Sequence, residues 1–276
     1  MNQSVPESLA IIAGKGAYPR LLAESARQQG VRRLFAIAFK KETEKSIETL
    51  VDTVVWINMG QLAAMLDALK NSGIRHVVMA GLIKPTHLFR ARPDAALRTL
   101  LKGLHQRNAD TIFGAVGDAI KNLGLDVLPA STFMEAHMPS PGSLTRRAPG
   151  PVEQSDIVLG RHVARVTSGL DIGQTVVIKE GTILAVEAFE GTDETLLRAG
   201  RLGGPGAVIV KIAKKGHDMR FDIPVIGLHT IKVMRKIKAA ALAVEAGRCI
   251  VLEGKKVVAQ ADRAGLCIMV FEPKDV

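Results

Sequence analysis

The strongest constraint on this chain is the alternation that fills its first half. Short, nearly continuous apolar runs (LAIIAG, RLFAIAF, DTVVWIN, IRHVVMAG and LDVLPA) are interspersed with amphipathic segments, namely Tyr18 to Gln29, QLAAMLDALKNSG, PDAALRTLLKGL and DTIFGAVGDAIKNLG. An apolar run with no polar residue at alternate positions is a strand buried on both faces. Amphipathic helices of about 10–15 residues between such strands set them parallel. The pattern predicts an α/β protein whose first domain is an open parallel sheet. Aromatic residues make up only 4% of the chain, so its cores are aliphatic. Gly30, Gly73 and Gly124 close helices in the left-handed cap that glycine adopts without strain.

The composition then changes. HMPSPGSLTRRAPGPVE is rich in proline and glycine and has no periodicity, so residues 134–154 are expected to be a hinge between a Rossmann-like domain at 1–133 and a second α/β domain at 155–276. Ser155 is the expected N-cap of a helix, DIVLGRHVARVTSG. Shorter strands with turns follow in QTVVIKEGTILAVEAFEGTD, GAVIVKIAKKGHDMRFDIPVIG and RCIVLEGKKVVAQAD, giving a mixed sheet. VVIKEGTILAVEA and CIVLEGKKVVAQA share a strand–turn–strand layout, and LAVEA recurs at Leu184 and Leu242.

Two cysteines, Cys249 and Cys267, supply neither a disulfide framework nor a four-sulfur metal site. Both lie in apolar runs and read as buried thiols. MNQSVPESLA lacks the basic start and apolar core of a signal peptide, and no run nears the ~20 apolar residues of a spanning helix. A soluble protein of the cytoplasm is expected. The net charge of +10 favours an anionic partner. The absence of interleaved aromatics and of finger or helix-turn-helix motifs argues against nucleic acid and leaves a phosphorylated ligand or an anionic membrane surface.

Four stretches carry candidate chemistry. GKGAYP, with Gly14 and Gly16, leaves the first strand and enters a helix, where backbone N–H groups and the helix dipole favour phosphate. It lacks the third glycine of a dinucleotide fingerprint and the lysine–serine of a P-loop, so a plain tight turn fits equally well. MAGLIKPTHLFRARPD sets Gly81, Lys84, His87, Arg90 and Arg92 after another strand, on the crevice side of an open sheet. EAFEGTDE gathers Glu187, Glu190, Asp193 and Glu194 around Gly191 and Thr192, either as a capping turn or as oxygen donors for a metal or ribose. KKGHDMRFDIPVIG, read as a strand after a hairpin at Lys214–Gly216, puts Asp218, Arg220 and Asp222 on one face. Charged residues do protect edge strands. Yet Lys211, Lys214, Lys215 and the EGTD loop converge on that end of the sheet, and carboxylates beside cations suit a hard divalent metal that also holds phosphate.

IIAGKGAYP, MAGLIKP, DIGQTVVIKEGTILAVEAFEGTDETLLR, IVKIAKKGHDMRFDIPVIG and AVEAGR…ADRAG, taken in order, resemble the LpxI family of UDP-2,3-diacylglucosamine pyrophosphatases over nearly the whole chain. The resemblance implies a lipid A biosynthetic hydrolase that cleaves UDP-2,3-diacylglucosamine to UMP and 2,3-diacylglucosamine 1-phosphate. It further implies dependence on Mg2+ or another divalent cation such as Mn2+, and an essential aspartate in DMRFD: Asp222, with Asp218 close behind, as metal ligand and catalytic residue. Gly14, Gly16, Gly81, Lys84, Glu187, Glu190, Gly191, Thr192, Asp193, Lys211, Lys214 and Arg220 become expected substrate contacts. The sequence departs from the family pattern KPGQDMRFDLPTIGP at Lys215, His217, Val225 and Leu228. A cytoplasmic enzyme that transiently meets the anionic inner membrane fits the basic charge, and a homodimer is the default assembly. Competing readings are a non-catalytic nucleotide-sugar or phospholipid-binding module and, with the motif against it, an NAD-dependent oxidoreductase.

Overall fold

The computed structural model describes residues 5–83, 92–106, 108–214, 220–221 and 223–273. These divide into two compact units. The first runs up to Met134 and includes Arg220 and Phe221, while the second runs from Glu135 to Lys214 and from Ile223 onward.

In the first unit, β1 (Ser8–Ala13), β2 (Arg33–Phe39), β3 (Thr53–Ile57), β4 (His76–Ala80) and β5 (Asp126–Val127) pair in the order β3-β2-β1-β4-β5. Every pairing is parallel. Helices α1 (Tyr18–Gln28), α2 (Leu62–Ser72), α3 (Ala95–Lys102) and α4 (Ala109–Lys121) supply the apolar faces. Leu9, Ala10, Ile11, Ile12 and Ala13 are all buried, so both faces of β1 are covered. The core includes Ile37, Leu69, Ile74, Val77 and Ile120. The strand order reverses between β1 and β4, and this switch point is where open α/β sheets bind ligands.

The second unit contains β6 (Gly142–Ser143), α5 (Pro151–Gly169), β7 (Thr175–Lys179), β8 (Thr182–Val186), α6 (Thr192–Gly203), β9 (Val208–Lys211), β10 (Val225–Ile226), α7 (Leu228–Lys236), β11 (Ala241–Glu245), β12 (Ile250–Val251), α8 (Gly254–Arg263) and β13 (Cys267–Phe271). Its main sheet runs β6-β13-β11-β9-β7-β8, and a separate parallel pair joins β10 to β12. The sheet is mixed: β9, β11 and β13 are parallel, whereas β6, β7 and β8 pair antiparallel with their neighbours. Alternate strand residues serve two cores. Val177, Ile209 and Leu242 pack with α6, α7 and α8, while Val176, Ile178, Val208 and Val210 pack with Ile157 and Ala164 of α5. Gly160 allows α5 this close approach, because a Cβ there would lie 2.5 Å from both Ile178 and Val210.

Three local expectations are corrected. The helix expected to start after Ser155 begins at Pro151. Glu153 accepts from the Gly150 N–H at 2.8 Å and pairs with Arg147 at 2.8 Å, so the first turn is organised before Ser155 is reached. The Ser155 hydroxyl instead donates to Pro151 O from within the helix. Within the stretch read as a connection, Gly142–Ser143 forms β6 against β13. CIVLEGKKVVAQA is strand β12 followed by helix α8, not a hairpin. Val257 and Ala261, four apart, are its buried residues, a helical spacing that the likeness to VVIKEGTILAVEA masks.

Of the hairpin expected at Lys214–Gly216 only Lys214 is described, and the strand before it, β9, pairs with β11 and β7. Lys215 and Gly216 lie outside the described residues. Arg220 and Phe221 are in a turn, not a strand, and belong to the first unit.

Candidate active site

At the switch point of the first unit, the chain leaving β1 is laced to the chain leaving β4. Gly14 N–H donates to Ala80 O at 2.7 Å and Lys15 N–H to Leu82 O at 2.9 Å, while Leu82 N–H returns to Lys15 O at 3.0 Å. A Cβ on Gly14 would lie 2.9 Å from Gly81 C, and one on Gly81 would lie 2.9 Å from Gly14 C. Gly16 and Gly81 take φ of 91° and 95°, the left-handed region that favours glycine. The buried Thr43 hydroxyl donates to Ala13 O and accepts from Phe39 N–H, joining β2 to the same end. Gly14, Gly16 and Gly81 are thus brought together. The sequence reading of GKGAYP as a loop of free donors is corrected at two positions, since the Gly14 and Lys15 N–H groups are already used.

In the second unit a polar cluster forms where β7 begins and β8, β9 and β11 end. Lys211, 5% exposed, donates to Thr192 Oγ1 at 2.9 Å and Thr175 Oγ1 at 3.2 Å, and its Nζ is 3.9 Å from Glu187 Oε2. Thr192 Oγ1 in turn donates to Glu187 Oε1 at 2.8 Å. Nearby at the same edge, buried Glu245 accepts from Ala213 N–H at 2.9 Å and pairs with Arg165 of α5 at 3.2 Å. Charges removed from water persist only when paired or hydrogen-bonded, and here each acid has a cation. The exception in detail is Glu187 Oε2, which has no hydrogen-bond partner among the described residues.

Glu187, Thr192 and Lys211 therefore meet as expected, and Gly191, at φ 82°, turns the chain into α6 directly above them. The other expected residues are placed apart. Glu190 pairs with Arg198 at 2.6 Å and accepts from Thr195, fixing the first turns of α6. Burial works against its charged form, but its own backbone N–H and Arg198 outweigh this and hold its carboxyl below the ordinary range. Asp193 faces His229 at 2.9 Å. Lys214 is tied to Asp171 at 2.7 Å. Lys84, His87, Arg90, Asp218 and Asp222 lie outside the described residues, as do Lys215 and His217.

Arg220 sits on α4 with its Nη1 3.0 Å from Asp118 Oδ1. Phe221 lies 5.9 Å, centroid to centroid, from Phe113. Gly117 explains the fit of Arg220, because a Cβ there would lie 3.0 Å from its Nη1, whereas one on Gly114 would make only an ordinary contact with Phe221 Cζ at 4.0 Å. Glycine inside a helix costs about 1 kcal/mol relative to alanine, so Gly117 calls for a packing reason, and Arg220 provides it.

Sequence reasoning missed Thr175, Glu245, Arg165, Asp171 and Asp118. Glu245 carried a legible signal, an acid closing the apolar strand run ALAV. The interior glycines of FGAVGDAIK were a signal of the same kind for Asp118 and its neighbours.

A parallel sheet closed by paired glycines at its switch point, followed by a mixed α/β unit with buried acids and cations at one sheet end, defines a two-unit α/β protein with its polar chemistry at strand ends. Residues 8–137 match the LpxI N-terminal domain and residues 140–269 the LpxI C-terminal domain, and the chain belongs to this family. It is similar to the UDP-2,3-diacylglucosamine pyrophosphatase LpxI of Caulobacter vibrioides, with 31% identity over 279 residues, 97% of this chain and 98% of the relative.

For a divalent cation, the described residues offer two buried oxygens without a hydrogen-bond partner, Gln174 Oε1 and Glu187 Oε2. No three His, Cys, Asp or Glu side chains among the described residues form a coordinating group. No helix among them is long and apolar enough to cross a membrane.

Proposed function

We propose that this protein hydrolyses the diphosphate of UDP-2,3-diacylglucosamine, giving UMP and 2,3-diacylglucosamine 1-phosphate for lipid A synthesis. The observation that carries the reading is colinear family membership across both units, with a pyrophosphatase 31% identical over 97% of the chain. One bridging P–O bond breaks and one water is consumed, so each phosphorus leaves as a monoester.

Asp222, with Asp218 beside it in sequence, is assigned to hold Mg2+ or Mn2+ and to orient the attacking water. A bound divalent cation offsets the negative charge that grows on the phosphoryl oxygens. Arg220 carries a fork of donors suited to a phosphate oxygen pair. Glu187 Oε2 is an acceptor suited to a ligand hydroxyl, and Lys211 and Thr192 hold that carboxylate in place. The glycine pair at Gly14 and Gly81 lets backbone rather than side chains line the switch point. Lys84, Lys214 and the remaining acids of the EGTD loop are assigned to the rim. The basic net charge favours transient contact with an anionic inner-membrane surface from the cytoplasmic side, and a homodimer is the working assembly.

The test is UMP release from purified protein, substrate and Mg2+, with an EDTA control. Release that stops on chelation supports both the reaction and the metal. Release indifferent to EDTA removes the metal from the proposal, and bound but unconverted substrate supports a binding module instead.

A further inference from the structure

Resting on that reading, we propose that α4 carries a shaped seat for Arg220 and Phe221, and that Asp118 and Gly117 are positioning residues that set Arg220 for the reaction. Four independent features meet there. Asp118 holds Arg220 at 3.0 Å, although Asp118 itself remains largely exposed. Arg220 is 15% exposed and lies with Cζ 5.8 Å from the centre of the Phe221 ring, so the pair forms one packed unit. Phe221 contacts Phe113 at 5.9 Å and 44°. Gly117 of α4 leaves the space that the Arg220 guanidinium fills.

Glycine is the poorest helix former after proline, so α4 is built for the fit at the expense of its own helicity. Asp118 stands mostly in water, so its pairing with Arg220 is screened and contributes little to global stability. The value of Asp118 therefore lies in fixing where Arg220 stands, and with it the donor fork assigned to the phosphate.

The separation of stability from positioning gives the test. Asp118→Asn and Gly117→Ala are made in the full-length protein, with Asp118→Glu as the conservative control. Alanine improves the helix at 117 but puts a methyl group 3.0 Å from the Arg220 guanidinium. Both variants are expected to lose about tenfold or more in kcat, with KM nearly unchanged, as small misplacements at a reacting centre do. Thermal midpoints should not fall, and Asp118→Glu should keep most of the wild-type rate. Trypsin cleavage after Arg220 in the native protein, followed by mass spectrometry, should accelerate in Asp118→Asn.

Wild-type kcat in Asp118→Asn, or cleavage at an unchanged rate, overturns the seat. If the wild-type protein releases no UMP while cleavage still accelerates in the variant, the seat stands and the assigned reaction falls.

Discussion

Gly14 and Gly81 each occupy the space in which the other's Cβ would stand, at 2.9 Å from backbone carbon in both directions. The two strand ends at the switch point are therefore locked together by the absence of side chains. Gly14→Ala is expected to destabilise the protein by about 1–3 kcal/mol, the cost of overpacking a filled site. Gly81→Ala should cost more, because its φ of 95° adds backbone strain. Urea unfolding would read both as a lowered midpoint at constant slope, and an unchanged midpoint in Gly81→Ala contradicts the interlock.

Lys211 and Glu187 form a second coupled pair. Removing the cation alone, in Lys211→Met, strands a buried carboxylate and should cost about 3–5 kcal/mol. The double variant Lys211→Met with Glu187→Met removes both charges and should recover a large part of that loss. A double-mutant cycle on urea midpoints gives the coupling directly. Strict additivity would show that the two groups do not sense each other.

Gly173 bears on the same acid. A Cβ there would lie 2.1 Å from Glu187 O, too close for any side-chain adjustment to relieve, since the obstacle is backbone. Gly173→Ala should displace the start of the EGTD loop and lower both UMP release and the thermal midpoint. Unaltered turnover would detach Glu187 from the site.

Much of the fold was legible. The apolar runs of the first half gave strands in a parallel sheet because Leu9 to Ala13 and their partners must hide both faces, and no other element does so over so few residues. The second half was harder. Its KKVVAQAD stretch reads as strand by its valines, yet buries only one face at helical spacing. The gathering of Glu187, Thr192 and Lys211 could be anticipated from their positions at strand ends and a helix start. The partners Thr175, Glu245 and Arg165 arrive through sheet order, which no local pattern encodes. Nor could a strand-like alternation in DMRFD reveal that Arg220 and Phe221 turn against α4, because the space for Arg220 is left by Gly117, far earlier in the chain.

Acid sensitivity has a defined source. Arg147, bonded to Glu153 through both nitrogens, together with the Gly150 N–H, holds the Glu153 carboxyl below its ordinary value of 4.5. A depressed folded pKa contributes stability above the unfolded value, and that contribution is lost as pH falls through the folded value. Stability should therefore decline below about pH 4.5, and Glu153→Gln should be less stable at neutral pH with a flatter acid limb. Parallel acid limbs in the two proteins would refute the assignment.

The thiols should be silent in the native state. Cys249 is fully enclosed and burial pushes its thiol up to about 12, and burial raises Cys267 as well. Only the thiolate reacts, so a chromogenic disulfide reagent at pH 8 should titrate neither thiol until denaturant is added, and both afterwards. Rapid native labelling of either residue would contradict its enclosed position.

The most direct measurement of the central claim is phosphorus NMR of UDP-2,3-diacylglucosamine incubated with the protein and Mg2+. Diphosphate hydrolysis should replace the coupled diphosphate pair with two monoester signals, UMP and the sugar 1-phosphate, growing at equal rates. A persisting diphosphate, or loss of the sugar with UDP left whole, would contradict the account.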